Sequence, residues 1–120
     1  MEFEELEVWK RSARVACEVY QVLSKTRDFG FRDQVCRAAV SVPSNIAEGM
    51  ERAGYRDQIK FLDYAKGSNA ELRTQLYIGL EISYFDREVG LFLIKETKEI
   101  SAMIYGLQKR IKSKLLDRGK

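Results

Sequence analysis

Hydrophobic residues recur at alternating steps of three and four along most of the chain, which is the spacing of positions on one face of an α-helix. Four such segments lie between turn-forming residues, at about 4–25, from 30 to the 49–54 region, at 55–84 and at 87–116. Connections this short force neighbouring helices to run antiparallel. The pattern therefore predicts an all-α protein, an up-down-up-down four-helix bundle forming a single domain over residues 1–120.

The first predicted helix carries two adjacent hydrophobic stripes, Leu6, Trp9, Ala13, Ala16, Tyr20 and Leu23 in one and Val8, Val15, Val19 and Val22 in the other. Together they are wider than one neighbouring helix can cover, so we expect burial against more than one neighbour, including another subunit. We interpret Trp9, Tyr20 and, in the third helix, Phe61 as packing residues rather than as a platform for stacking bases.

Capping and small residues refine the predicted helices. Asp28 and Asp86 stand where the N-caps of the second and fourth helices are expected. The stripe of the third helix includes Ala65, Ser68 and Gly79, which are small enough to permit close approach of a neighbouring helix.

Pro43, the one proline of the chain, lies inside the second predicted helix. Proline cannot donate a backbone hydrogen bond and clashes with the carbonyl four residues earlier, here that of Ala39, so we expect a kink just before it. The side chains of Ser41, Ser44 and Asn45 are candidates to bond the freed carbonyl.

The residue inventory excludes most catalytic chemistry. Histidine is absent, which removes the commonest general base and metal ligand. Cys17 and Cys36 lack the spacing of a zinc or redox motif, so we expect two buried, reduced thiols in a cytoplasmic protein. Gly49 and Gly54 are too sparse for a phosphate-binding loop. We therefore predict a protein that is not an enzyme and has no metal or cofactor.

Two carboxylates in small-residue surroundings, Glu48 and Glu71, are the remaining candidates for acid–base or metal chemistry. A di-iron site in a four-helix bundle requires histidine ligands that this chain lacks. A structural network is the favoured interpretation, in which Arg37 neutralises a buried glutamate. In this interpretation Ser41, Asn45 or Ser68 supplies the additional hydrogen bonds.

Positive charge is concentrated at the end of the chain. Residues 109–120 include six basic residues and one acid, a net charge of +5 against +3 for the whole chain. The candidate nucleic-acid-binding residues are Lys109, Arg110, Lys112, Lys114 and Arg118 of this segment, which also contains Lys120, and Lys10, Arg11 and Arg14 on the outer face of the first helix. Phosphate neutralisation by such clusters supplies most non-specific affinity for RNA or DNA.

An alternative interpretation of the charge needs no ligand. In an up-down-up-down bundle the acidic start of the chain, Glu2, Glu4, Glu5 and Glu7, lies at the same end as the basic segment. Each cluster also has the sign that suits the dipole of its own helix. Internal charge pairing and nucleic-acid binding both remain open at this point.

No apolar run approaches the about 20 residues of a membrane span. Met1 to Glu7 carries four glutamates and lacks the basic stretch of a secretory signal. We expect a cytoplasmic protein with no membrane partner.

The run from Phe29 to Gly49, and above all its part from Arg37 (RAAVSVPSNIAEG), resembles the core signature of the 23S rRNA-intervening sequence protein family. Further matches are Leu6-Glu7-Val8-Trp9, Phe61-Leu62, Ala65-Lys66-Gly67-Ser68 and Glu71-Leu72. The motif positions with a structural role are Arg37, Ser41, Pro43, Asn45, Glu48, Gly49, Ser68 and Glu71. The chain departs from the pattern before the third helix, where it has Gly54 in a region that commonly holds a serine.

This resemblance implies a left-handed bundle that assembles as a ring-shaped homopentamer, with a poorly defined activity. The family is named after reading frames inserted in bacterial large-subunit rRNA genes. Related bundles act as accessory proteins of diversity-generating retroelements. These accessory proteins are basic, bind nucleic acid and contact a reverse transcriptase. We therefore expect an oligomeric module that binds RNA or DNA. The alternative is a protein–protein scaffold, for example a reverse-transcriptase accessory subunit without nucleic-acid contact.

Overall fold

The computed structural model describes residues 2–118 and confirms the all-α four-helix prediction. A short 3-10 turn, Phe3–Glu5, precedes the helices α1 (Glu7–Val22), α2 (Phe29–Met50), α3 (Tyr55–Glu81) and α4 (Arg87–Arg118). Together they form a rod of 54 × 21 × 20 Å. Among residues 2–118 each helix is interrupted by too many charged side chains to form a membrane-spanning segment.

Contacts between specific residues show that consecutive helices run antiparallel. Gly49 near the end of α2 lies against Phe61 near the start of α3, whereas Phe31 near the start of α2 lies beside Gly79 near the end of α3. The same relation joins α1 to α4, because Leu6 shares a cleft with Leu107. The helices therefore alternate in direction around the bundle; its left-handed twist stays a prediction.

The core is formed by aliphatic side chains from all four helices, including Val35, Ile46, Leu62, Leu72, Leu93 and Ile104. From α1, the stripe of Val8, Val15 and Val19 faces this core. Tyr20, expected to be a packing residue, does not pack within one subunit, since 54% of it is exposed. Cys17 was also expected to be buried and is exposed, because it lies on the outer side of that helix.

Cys36 is buried as expected. Burial raises the pKa of its thiol, since the thiolate would lose hydration there. Trp9 and Phe61 are both partly buried, each packed edge-on against another ring, that of Phe3 and of Tyr64 respectively.

α2 continues as one helix through Pro43. The Asn45 amide donates to the Ser41 carbonyl at 2.8 Å and to the Ser41 Oγ at 3.0 Å. The hydroxyls of Ser41 and Ser68 share a hydrogen bond of 2.8 Å, which links α2 to α3. Asn45 therefore bonds Ser41, and Ser41 bonds Ser68. Neither side chain bonds the carbonyl of Ala39, for which both had been candidates.

The expected ion pair of Arg37 with a buried glutamate is not formed within residues 2–118. Glu48 is exposed and pairs with Arg52 one turn later, at 2.9 Å. Glu71 and Arg37 are exposed as well. The prediction failed because both carboxylates lie on the solvent side of their helices, even though Gly49 next to Glu48 is buried.

A polar layer inside the bundle connects α3 to α4. The buried Asn69 amide donates to the Thr97 carbonyl at 2.7 Å, and the Arg73 guanidinium donates to the Thr97 hydroxyl and carbonyl at 2.9 and 3.1 Å. Further along, the buried Gln108 amide donates to the Ile59 carbonyl at 3.2 Å. Sliding α4 along α3 would leave these buried groups without partners, at a cost of about 1–3 kcal/mol each.

α3 ends two residues after Gly79 in a compact C-terminal motif. The Tyr84 N–H donates to the Gly79 carbonyl and the Ser83 N–H to the Leu80 carbonyl, with Ser83 in the left-handed region at φ 61°. This tight ending turns the chain so that the Phe85 ring fills the space between Gly79 and Gly90, where a Cβ on either glycine would approach the ring within 2.7 Å.

Replacing Gly79 by alanine tests this packing. The added methyl group would meet the Phe85 ring, which Gly90 confines from the other side, so we expect Gly79→Ala to lower the free energy of unfolding by about 1–3 kcal/mol. Gly67→Ala is the matched control: Gly67 is also inside α3, with open space around its Cβ position. There alanine should raise the stability by up to about 1 kcal/mol. Urea titrations at one protein concentration measure both, and equal effects would contradict the packing.

Asp28 is the N-cap of α2, as predicted, and also bonds the α3–α4 connection. Its carboxylate accepts from the Tyr84 hydroxyl at 2.7 Å and from the Phe31 N–H at 3.1 Å. These bonds, mainly that of Tyr84, lower the pKa of Asp28. The folded state therefore gains stability at pH values above the unfolded pKa of about 3.9, and loses it as the pH falls through the lower folded pKa.

Asp28→Asn removes this titration. We expect its unfolding free energy to fall less steeply with decreasing pH below about pH 4 than that of the parent protein. Tyr84→Phe keeps the ring that packs edge-on against Phe31 and removes the hydrogen bond that lowers the pKa of Asp28 most. It should therefore reproduce most of the reduced pH dependence of stability. Thermal unfolding followed by circular dichroism from neutral to acid pH is the measurement. Parallel pH profiles for all three proteins would contradict the assignment.

Candidate nucleic-acid interface

The last turns of α4 direct cations outward from a helix that is anchored in the core. Ile111 is buried, whereas the basic residues around it, Lys109, Arg110, Lys112, Lys114 and Arg118, are all exposed. The Arg118 guanidinium lies 5.4 Å from the centre of the Tyr55 ring at the start of α3. The basic end of α4 therefore belongs to the bundle, and Lys120 lies outside the described residues.

The acidic start of the chain lies at the same end, as predicted. Leu6 and Glu7 line one cleft with Leu107 and Arg110. Within residues 2–118, however, none of the five basic residues of the α4 end is within 4.0 Å of a carboxylate, and Glu7 pairs instead with Lys10 at 3.8 Å. The acidic start of the chain and the basic end of α4 therefore lie at the same end of the bundle, but no ion pair joins them among the described residues.

The basic cluster of α1 divides into two kinds of residue. Lys10 and Arg14 are exposed. The Arg11 guanidinium binds the carboxylates of Glu96 and Glu99 in α4, the latter at 2.9 Å. These hydrogen bonds raise the pKa of Arg11, and the bond to Glu96 has the larger effect. The bond from Arg11 likewise lowers the pKa of Glu99. Arg11 therefore connects α1 to α4 and its charge is neutralised locally.

A basic stripe along α4 was not recognised from the sequence. We define the α4 stripe as Lys98, Ala102, Tyr105, Lys109 and Lys112, which follow one another at steps of four and three and are all exposed. From α3, the Lys66 ammonium lies 5.6 Å from the centre of the Tyr105 ring. The signal in the sequence was the helical spacing of the cations together with the absence of any acid from Ile100 to Leu116.

The family model of the 23S rRNA-intervening sequence protein matches residues 4–106. The chain belongs to this family. A crystal structure of a protein with unknown function from the S23 ribosomal protein family of Bacteroides thetaiotaomicron has the same fold, with a TM-score of 0.80 at 23% identity. That match covers 85% of this chain and 98% of the other. No curated protein matches the chain.

Two features of these comparisons bear on the site. Membership of the 23S rRNA-intervening sequence protein family agrees with the resemblance of the α2 motif, whose Pro43 and Gly49 are buried. The family match ends at Gly106, so the basic end of α4 lies beyond it. Among the described residues no group of three or more acidic or cysteine side chains is placed to hold a metal ion.

The Arg11 assignment generates a stability prediction. Arg11→Met removes two charge-assisted contacts and leaves Glu96, whose side chain is only 15% exposed, without its partner. We expect a loss of about 1–2 kcal/mol, part of which the double variant with Glu96→Met should recover. Lys10→Met, which removes only the looser surface pair with Glu7, should change stability by less than about 0.5 kcal/mol. Equal effects of Arg11→Met and Lys10→Met in chemical denaturation would refute the assignment.

Proposed function

We propose that this protein is a non-enzymatic, homo-oligomeric bundle that binds RNA or DNA through the basic end of α4. The observation that carries the proposal is that Lys109, Arg110, Lys112, Lys114 and Arg118 are exposed and have no carboxylate within ion-pair distance among the described residues. Internal neutralisation, the alternative interpretation of this charge, loses support for the same reason.

The mechanism is electrostatic. Cations that are not paired within the protein neutralise phosphates and release condensed counterions, which gives an affinity that falls steeply with salt and depends little on sequence. Lys10 and Arg14 of α1, at the same end of the bundle, extend the positive surface, while Arg11 is occupied by Glu96 and Glu99.

Exposed hydrophobic side chains support the oligomeric part of the proposal. Tyr20 of α1 is 54% exposed and Val40 of α2 is 41% exposed, and both line one groove with Cys36. The stripe that begins at Leu6 and includes Trp9 is thus incompletely covered within one subunit. A ring of five, which the family resemblance implies, would place five basic ends on one particle and convert weak single contacts into avidity.

Binding of a structured RNA measured by fluorescence anisotropy tests the proposal. We expect binding at low salt and a loss of about 10-fold or more at moderate salt. Lys112→Gln with Lys114→Gln should weaken binding and leave stability unchanged. Lys25→Gln with Arg27→Gln removes the same charge from exposed positions at the opposite end and should leave binding intact. Sedimentation of the same samples gives the solution mass, which we expect to be that of an oligomer.

Three outcomes would overturn this function. They are absence of binding at low salt, binding that is insensitive to salt, and a monomeric solution mass. A protein–protein scaffold whose α4 charges serve only the fold predicts the reverse pattern for Lys112→Gln with Lys114→Gln, namely lost stability and unchanged RNA binding.

A further inference from the structure

We propose that the outer face shared by α3 and α4 is a track for single-stranded nucleic acid, in which an unpaired base stacks on Tyr105. The inference rests on the proposed function and deepens it by naming the surface and the kind of strand. It is carried by the α4 stripe and by Lys66 of α3. The stripe shares Lys109 and Lys112 with the basic end of α4 and extends from there along the helix to Tyr105 and Lys98.

The α4 stripe has the dimensions and charge of a strand-binding surface. From Lys98 to Lys112 the helix rises by about 21 Å, which is long enough for several consecutive nucleotides. Lys98, Lys109 and Lys112 point to solvent along this length, and α4 has no acid from Ile100 to Leu116. The nearby Asp63 of α3 accepts a hydrogen bond from Gln108 at 2.7 Å, which engages one of its carboxylate oxygens.

Tyr105 provides an aromatic surface within this positive field. It is 57% exposed, and Ala102 one turn earlier is too small to cover it. The ammonium of Lys66 lies over the ring, 5.6 Å from its centre, so a base would stack on the part of the ring that Lys66 leaves exposed, with its phosphate next to that cation. Successive bases stacking on aromatic rings above a basic groove is the usual mode of binding single strands.

Two other exposed aromatic residues of these two helices, Phe92 and Tyr64, lack this combination. Phe92 of α4 is 51% exposed, but the acidic Glu88 stands one turn before it, and the residue one turn after it, Glu96, is an acid paired with Arg11 rather than a free cation. Tyr64 of α3 is 47% exposed and packs edge-on against Phe61. Negative charge next to a ring repels phosphate, and a ring held by a neighbour has less free surface. The surrounding charge therefore favours Tyr105 over Phe92 and Tyr64 for stacking.

The selectivity of this mode is for unpaired bases. A duplex keeps its bases stacked on one another, so it can contact the lysines but not the Tyr105 ring. Removing the ring should therefore weaken single-strand binding without changing the number of phosphates contacted. Removing a lysine of the track should instead lower the salt dependence for both kinds of strand.

The experiment compares an unstructured oligonucleotide of about 16 nucleotides with a blunt duplex of the same sequence, titrated over a series of salt concentrations. Tyr105→Ala should weaken single-strand binding about 10-fold, with the same salt slope and with unchanged duplex binding. Tyr105→Phe should bind like the parent, because the ring is retained. Lys98→Gln should reduce the salt slope by about 1. Tyr64→Ala, on the other side of α3, is the control and should change neither probe.

The outcomes separate this inference from the proposed function. If the parent protein binds neither probe, the proposed function fails. If it binds both probes and Tyr105→Ala binds each as the parent does, or loses both equally, the track is wrong and the proposed function stands. A fall in solution mass of Tyr105→Ala would place the ring in an interface between copies and would also overturn the track.

Discussion

The register between α3 and α4 determines what this molecule shows to its surroundings. Asn69 and Gln108 are buried amides that each bond a backbone carbonyl of the facing helix. Hydrophobic contacts alone tolerate small shifts along a helix, whereas a buried amide loses its partner when the helix slides. Because α4 is held in one register, its buried positions and its basic stripe are held in one orientation. The surface chemistry thus depends on polar contacts inside the core.

The charge distribution separates two roles of arginine and lysine in one fold. Arg11 and Arg73 are enclosed by partners and connect helices, which suits a planar group with several donors. Lys109, Lys112 and Lys114 at the end of α4 extend into solvent with no carboxylate within 4.0 Å among residues 2–118. Cations in the last turn of α4 suit the dipole of that helix, whereas those further from its end repel one another and gain nothing from the dipole. Their concentration on a well-packed helix is therefore a feature that folding alone does not explain.

Prediction from the sequence succeeded where one residue acts through its own helix. Asp28 caps α2 because a carboxylate preceding a helix can bond its free N–H groups. Prediction failed where the outcome depends on which side of a helix meets a neighbour. Tyr20 lies on one apolar stripe of α1 and Cys17 lies beside it. Both are exposed, because the valine stripe on the other side of the helix face points to the core. Glu48 lies beside small residues, and its partner is Arg52 rather than Arg37.

The sequence by itself determined the four helices, their order and the end of the bundle where charge collects, because periodicity, capping and connection length are local properties. It also indicated the family through the motif of α2. Only the tertiary structure decided that Arg11 is neutralised by α4, that Phe85 fills the space between two glycines, and that Lys66 meets Tyr105. Each of these pairs residues from different helices or connections, and their meeting depends on the rotation and register of packed helices, which no single segment specifies.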